Sequence, residues 1–165
     1  MAIELLSIDK AILQALEIDP ILQGLFGFYG YGDSRNNIRF SASATNINAA
    51  IFADVAPLDT PEPFLSFAME NNVDVNAMGG FRAFQDAIYS VVVRRSAAGY
   101  GSIKPFADAI DNIMEGLGFT NDSGAGTVVY RFVRQSTIRM SNPDDNNVTW
   151  YTLGGVYATM VSTIG

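Results

Sequence analysis

Few residues of this chain are equipped for covalent chemistry, and their spacing argues against most of it. Asp108 and Asp111 stand three apart in a segment of helical periodicity, on its polar side. Such a pair is ordinarily a solvated face rather than a general acid with its base. Asp144 and Asp145 are adjacent in NPDDNN. That segment is rich in oxygen donors but lacks the D-x-[DN]-x-[DN]-G spacing and the distal Glu of a calcium loop. Arg94 and Arg95 close a long apolar run. Neighbours on a strand alternate faces, so the two cannot enter one anion pocket without a bulge. Ion pairs with the acids of a partner chain suit them better than phosphate. DSGAG holds Ser123 outside any G-x-S-x-G elbow. With no His and no Cys in the chain, there is no imidazole base, no Ser-His-Asp triad, no thiolate nucleophile and no disulfide. Gly27, Gly30 and Gly32 fit neither GxGxxG nor a P-loop. The expectation is a protein that is not an enzyme, with no catalytic, cofactor-binding or metal-ligating residue.

The composition points the same way. With 48% hydrophobic and 16% charged residues, 165 residues suffice to bury a full core and suit a single domain over 1–165. No apolar run approaches the ~18 residues of a membrane span, and MAIELLSIDK lacks a basic n-region. The net charge of −7 is uneven: residues 1–81 hold three basic and ten acidic residues, residues 82–165 seven of each. An acidic chain without a basic cluster is poorly suited to gripping phosphates. Eight of the ten basic residues are Arg, the better residue for bidentate pairing at protein contacts.

The elements that must position these residues follow from periodicity. SIDKAILQALEID, residues 7–19, predicts a helix with Ser7 as N-cap and Ile8, Ile12, Ala15 and Leu16 on one face. Pro20 stops or kinks it. Residues 27–50 read as a loop rich in Gly and aromatic residues, with room for a short strand near Ile38–Phe40. AIFADVA reads as a short strand. Pro57, Pro61 and Pro63 then hold an extended entry to the strand PFLSFAME. NNVDVNAMGG reads as a turn or an irregular loop. Residues 81–98 predict a long central strand, with Phe84, Ile88 and Val92 on one face and Ala87, Tyr89, Val91 and Val93 on the other. SIKPFADAIDNIMEGL, residues 102–117, is the clearest helix, with Ser102 as N-cap and Ile103, Phe106, Ile110, Ile113, Met114 and Leu117 in one stripe. Residues 127–141 predict one half-buried strand and residues 148–162 the last, with a bulge or bend at Gly154-Gly155. The fold class expected is α+β, a mainly antiparallel sheet of about four to five strands, with the helix at about 102–117 packed on one face and the N-terminal helix at about 7–19.

This order resembles the tail terminator (tail completion) proteins of long-tailed bacteriophages. The likeness lies in AIFADVAP, the proline-bearing loop into PFLSFAME, the strand FRAFQDAIYSVVVRRSAAGYG, the helix SIKPFADAIDNIMEGLGF, and the strands VVYRFVRQSTIRMS and VTWYTLGGVYATMVS. It covers residues 50–162 in element order and residues 1–20 loosely. The resemblance implies a homo-oligomeric ring, a hexamer, capping the head-proximal end of the tail tube. Its partners would be itself, the tail tube protein and the head–tail connector (neck) proteins, in the virion, with no cofactor and no membrane. Six copies would carry 6 × −7 = −42 formal charges, which would let DNA pass a channel without sticking. The stiff proline entry would lose little entropy on docking, or would guard an edge strand against aggregation. Contact residues expected on this reading are Phe28, Tyr29 and Tyr31 in the first loop, Asp144 and Asp145 in the last hairpin, and Arg94 and Arg95 between subunits. The alternatives are a head–tail connector (stopper or adaptor) ring, and a small ligand-binding domain with an apolar pocket near Trp150.

Overall fold

The computed structural model describes residues 2–28, 50–56, 60, 62–76, 82–96, 99–117, 119–121, 127–129 and 131–163. Helix α1 spans Ala2–Ile18 and α2 spans Pro20–Phe28. Pro20 does end the first helix. It then opens the second, where a missing N–H costs nothing, and the Asp19 carboxylate accepts the Leu22 amide at 2.8 Å as an N-cap. Ser7 lies inside α1 rather than ahead of it, so its expected capping role is wrong. Ile8, Ile12 and Leu16 are fully buried, and Leu22 and Phe26 continue that face into α2. Gly27 and Phe28, expected in a loop over 27–50, belong to α2 instead. Residues 29–49, with the strand suggested near Ile38–Phe40, lie outside the described residues.

Four long strands carry the sheet: β2 (Phe64–Asn76), β3 (Arg82–Ser96), β6 (Val133–Pro143) and β7 (Thr149–Thr163). Three strands of three residues extend it: β1 (Ile51–Ala53), β4 (Phe119–Asn121) and β5 (Thr127–Val129). The order is β1-β2-β3-β7-β5-β4, with β6 also on β7. Only the β1–β2 pair is parallel among the described residues. The fold is therefore α+β with a mainly antiparallel sheet, and β3 is central as its two apolar faces require.

Two sequence expectations about strands fail for tertiary reasons. NNVDVN is no turn: β2 runs on to Asn76, each residue opposite one of β3, with register shifts between Met69 and Asn71 and between Val75 and Asn76. Asn and Asp are poor strand formers, but β3 supplies a template that outweighs the local preference. Residues 127–141 do not make one strand either. The chain leaves the sheet after Val129. Phe132 then donates its amide to the Leu117 carbonyl at 3.0 Å, and the Arg131 guanidinium donates to the Glu115 carbonyl. These bonds satisfy carbonyls at the end of a helix, which have no partner within it. The Phe132 ring is buried edge-on to Tyr89, 6.0 Å between centroids.

Helix α3 (Lys104–Gly116) matches its expected stripe: Ile103, Phe106, Ile110 and Met114 are fully buried, and Ile113 and Leu117 pack against them. Pro105 sits in the first turn. Ser102 is not the N-cap. Ile103 takes that position without a side-chain bond, while the Ser102 hydroxyl donates to the Gly99 carbonyl at 2.9 Å, within a 3-10 turn over Tyr100–Ser102. Phe26 meets Phe106 edge-on at 4.9 Å, which ties α2 to α3. All three helices cover the sheet face formed by Leu65, Phe67, Ala87, Tyr89, Val91, Val93, Tyr157 and Val161. No bulge occurs at Gly154-Gly155, where both neighbouring ladders run unbroken. The glycines serve a close approach instead: a Cβ on Gly154 would stand 2.1 Å from the Val91 carbonyl oxygen.

Candidate interaction surface

Polar groups on the helix-covered face are spent on holding the fold. The Tyr89 hydroxyl, from the middle of β3, donates to Asp9 of α1 at 2.8 Å. Burial raises the Asp9 carboxyl above its usual range, the Tyr89 bond opposes that, and the charge of Asp54 adds to it. Burial and then Asp9 push the Tyr89 hydroxyl up as well. Asp9 is thus a tertiary anchor between α1 and β3. The Tyr157 hydroxyl of β7 donates to Asp111 of α3, which also pairs with Arg134 of β6. Arg134 in turn donates to the Thr137 hydroxyl at 2.6 Å. Asp111, expected on a solvated face, is instead the joint between α3, β6 and β7. Asp108 fits the solvated reading, with an exposed ion pair to Lys104 at 2.6 Å. A cleft of about 380 Å³ lies over this joint, with Arg139 stacked 4.3 Å above the Tyr100 ring.

The opposite sheet face has no helix over it among the described residues. Residues facing one another in a ladder share a face, so register assigns its members. They include Phe64, Ser66, Ile88, Ser90, Val92, Arg94, Thr152, Val156, Ile138 and Met140. The exposed apolar residues Val73, Val133, Met140 and Met160 fall on it too. A second cleft of about 350 Å³ opens there, lined by Phe64, Arg94, Met140, Pro143, Trp150 and Thr152 among others. This is where an apolar pocket near Trp150 was expected.

The sequence-derived contact residues do not form one site. Arg94 is exposed on the open face and lines the Trp150 cleft, while Arg95, opposite Tyr151, points to the helix side. The alternation argument for this pair therefore holds. Asp144 and Asp145 do occupy a tight β6–β7 turn, closed by Asn147 with φ of 60°. Asp144, however, is turned into that turn. It accepts the amides of Asn146 at 2.8 Å and Val148 at 2.9 Å, and the Trp150 indole N–H at 3.3 Å. These bonds, Val148 first, hold its carboxyl below the usual range against the opposing effect of burial. Of the two acids, Asp145 is the one left exposed at the tip. Phe28 ends α2, and Tyr29 and Tyr31 lie outside the described residues.

The proline entry is corrected in part. Glu62 and Pro63 form a bend with a cis peptide bond rather than an extended lead-in. The Glu62 carboxylate accepts both the amide and the hydroxyl of Ser96, each at 2.7 Å. It thereby pins the start of β2 to the end of β3. Sequence reasoning missed this clamp and the Tyr89–Asp9 bond, because each joins residues far apart along the chain. Among the described residues no cluster of acidic groups could hold a metal ion, and no helix is long and apolar enough to cross a membrane.

No family model and no curated protein matches the chain. A solved structure does: a chain of "Virion of native gene transfer agent (GTA) particle" superposes with a TM-score of 0.59 at 16% identity. The match covers 92% of this chain and 92% of that one. At that identity the likeness is one of fold, and it extends over nearly the whole of both chains.

Proposed function

We propose that this chain is a structural virion protein, a terminator that forms a ring on the head-proximal end of a tail tube. Such a ring stops tube polymerisation and joins the tube to the neck. The observation that carries this reading is the fold shared, end to end, with a chain of a gene transfer agent virion. The order of elements that resembles tail terminators adds to it. The role is structural rather than catalytic, in keeping with acids such as Asp9 and Asp111 that are committed to internal hydrogen bonds. The partners are further copies of the chain, the tail tube protein and the neck proteins.

The test is native mass followed by tube capping. A hexamer would weigh roughly 107 kDa, six times 17.8 kDa. Added to polymerising tail tube protein, it should halt growth at one tube end. Tubes that lengthen unchecked in its presence would sink the terminator assignment. In particles made without the chain, overlong tubes identify a terminator, whereas normal tails with leaking heads identify a stopper or adaptor. The cleft beside Trp150 favours a second reading, a small-ligand domain. A strict monomer that ignores tubes but changes its Trp150 fluorescence with a ligand would move the assignment there.

A further inference from the structure

Two of the long strands have an edge with no strand beside it among the described residues. One is β2 beyond its pairing with β1, since β1 reaches only Leu65–Phe67. The other is the outer side of β6, which pairs with β7 alone. Unpaired edges are templates for another strand. These two differ in charge: residues 68–76 hold Glu70 and Asp74 and no basic residue, and residues 133–143 hold Arg134 and Arg139 and no acid. Pairing either edge with itself sets like charges together, whereas pairing one with the other sets them in attraction.

We infer that β2 of one copy pairs edge to edge with β6 of the next, making a head-to-tail sheet that runs from copy to copy. This deepens the ring reading above and rests on it for closure, because heterologous contacts make rings only when the rotation closes. Within one copy β6 runs antiparallel to β2, β2 being parallel to β7 and β6 antiparallel to it. Head-to-tail repetition keeps that sense, so the new ladder is antiparallel.

Side-chain alternation limits the register to pairs that share a face, and opposite charges select one of these. Asp74 shares the helix-covered side with Gln85, and Arg139 shares it with Leu153. Setting Asp74 against Arg139 brings Val73 opposite Met140 and Val75 opposite Ile138, all four on the open face. Val73 and Met140 are 48% and 46% exposed in the single chain, and this contact covers both. Val73 lies level with Met160 of β7 and Met140 with Thr152. The neighbour is therefore displaced along the strands by roughly 26 Å at ~3.3 Å per residue. Strands so staggered lie oblique to the ring axis, as they do in closed barrels.

The absence of native cysteine makes a direct test simple. Val73→Cys and Met140→Cys in one chain, both at exposed positions, should give a ladder of covalent multimers under mild oxidation or with a short thiol cross-linker. Asp74→Cys with Met140→Cys places the thiols on opposite faces and should cross-link at least about tenfold more slowly. Reversing either charge, Asp74→Arg or Arg139→Asp, should weaken self-association by roughly threefold to tenfold. The double reversal should recover it. The inference is overturned by three results: no ladder at any concentration, equal ladders from the two cysteine pairs, or dimers from Val73→Cys alone. A native oligomer without a ladder leaves the ring reading standing and removes this one. A ladder from a protein that caps no tubes does the reverse.

Discussion

Asp108 and Asp111 differ by one turn of α3 and by almost everything else that matters for stability. Asp111 receives the Tyr157 hydroxyl and the Arg134 guanidinium, while Asp108 meets only Lys104 in solvent. Asp111→Ala leaves two donors without their acceptor, and its cost should be about 1–3 kcal/mol in denaturant unfolding. Asp108→Ala should change stability by less than ~0.5 kcal/mol. If the two variants unfold alike, Asp111 is not the joint described. Asp144 offers a pH test. Its carboxyl is held below the ordinary 3.8 by amides it accepts only in the folded turn. The stabilisation is full above 3.8 and fades as pH falls through the lowered folded value. The melting temperature of Asp144→Ala should thus lie below that of the parent at neutral pH, and the gap should close in acid below 3.8. A gap that persists unchanged into strong acid would contradict the capping role.

At the scale of elements, Gly154 and Gly155 leave no room for a side chain where β7 lies against β3. A methyl on Gly154 would meet backbone, Val91 oxygen at 2.1 Å and Val92 Cα at 2.7 Å. A methyl on Gly155 would meet the far end of the Tyr157 ring at 2.9 Å. Backbone between two paired strands has nowhere to go, whereas a ring can tilt by some tenths of an ångström. Gly154→Ala should therefore destabilise by about 3 kcal/mol or more, and Gly155→Ala by about 1–2 kcal/mol. Thermal unfolding of the two variants reads the difference, and the opposite ranking would mean that β7 shifts to make room. The hairpin β2–β3 is the element on which local sequence misled most. Val73 and Val75 alternate as a strand should, but Asn71, Asn72, Asp74 and Asn76 around them spell a turn. Pairing with β3 decided the matter.

For the whole molecule, charge and the open sheet face bear on assembly together. Arg94 stands exposed on that face beside Phe64 and Trp150, in a chain whose net negative charge lies in its first half. Arg94→Glu combined with Arg95→Glu should shift native mass toward the single chain of 17.8 kDa. The effect should shrink as salt rises and screens the pairs. Unchanged assembly would remove both arginines from the interface. Arg94 alone should account for most of the loss, because Arg95 faces the helix layer.

The sequence by itself determined the fold class, the central place of β3, the buried stripe of α3, the break at Pro20 and the β6–β7 turn. Each is set by a period, a proline or a turn composition that acts within a few residues. Its argument against enzyme chemistry was also local, resting on residue types that are missing. Tertiary structure alone decided that Asp9 and Asp111 are anchors and that Glu62 clamps Ser96. It also split residues 127–141 into two strands and made NNVDVN part of β2. In each case the deciding partner lies elsewhere in the chain: Tyr89 stands 80 residues from Asp9, and Tyr157 stands 46 from Asp111. A carboxylate's spacing along the chain says which face it takes, but not which donor waits there.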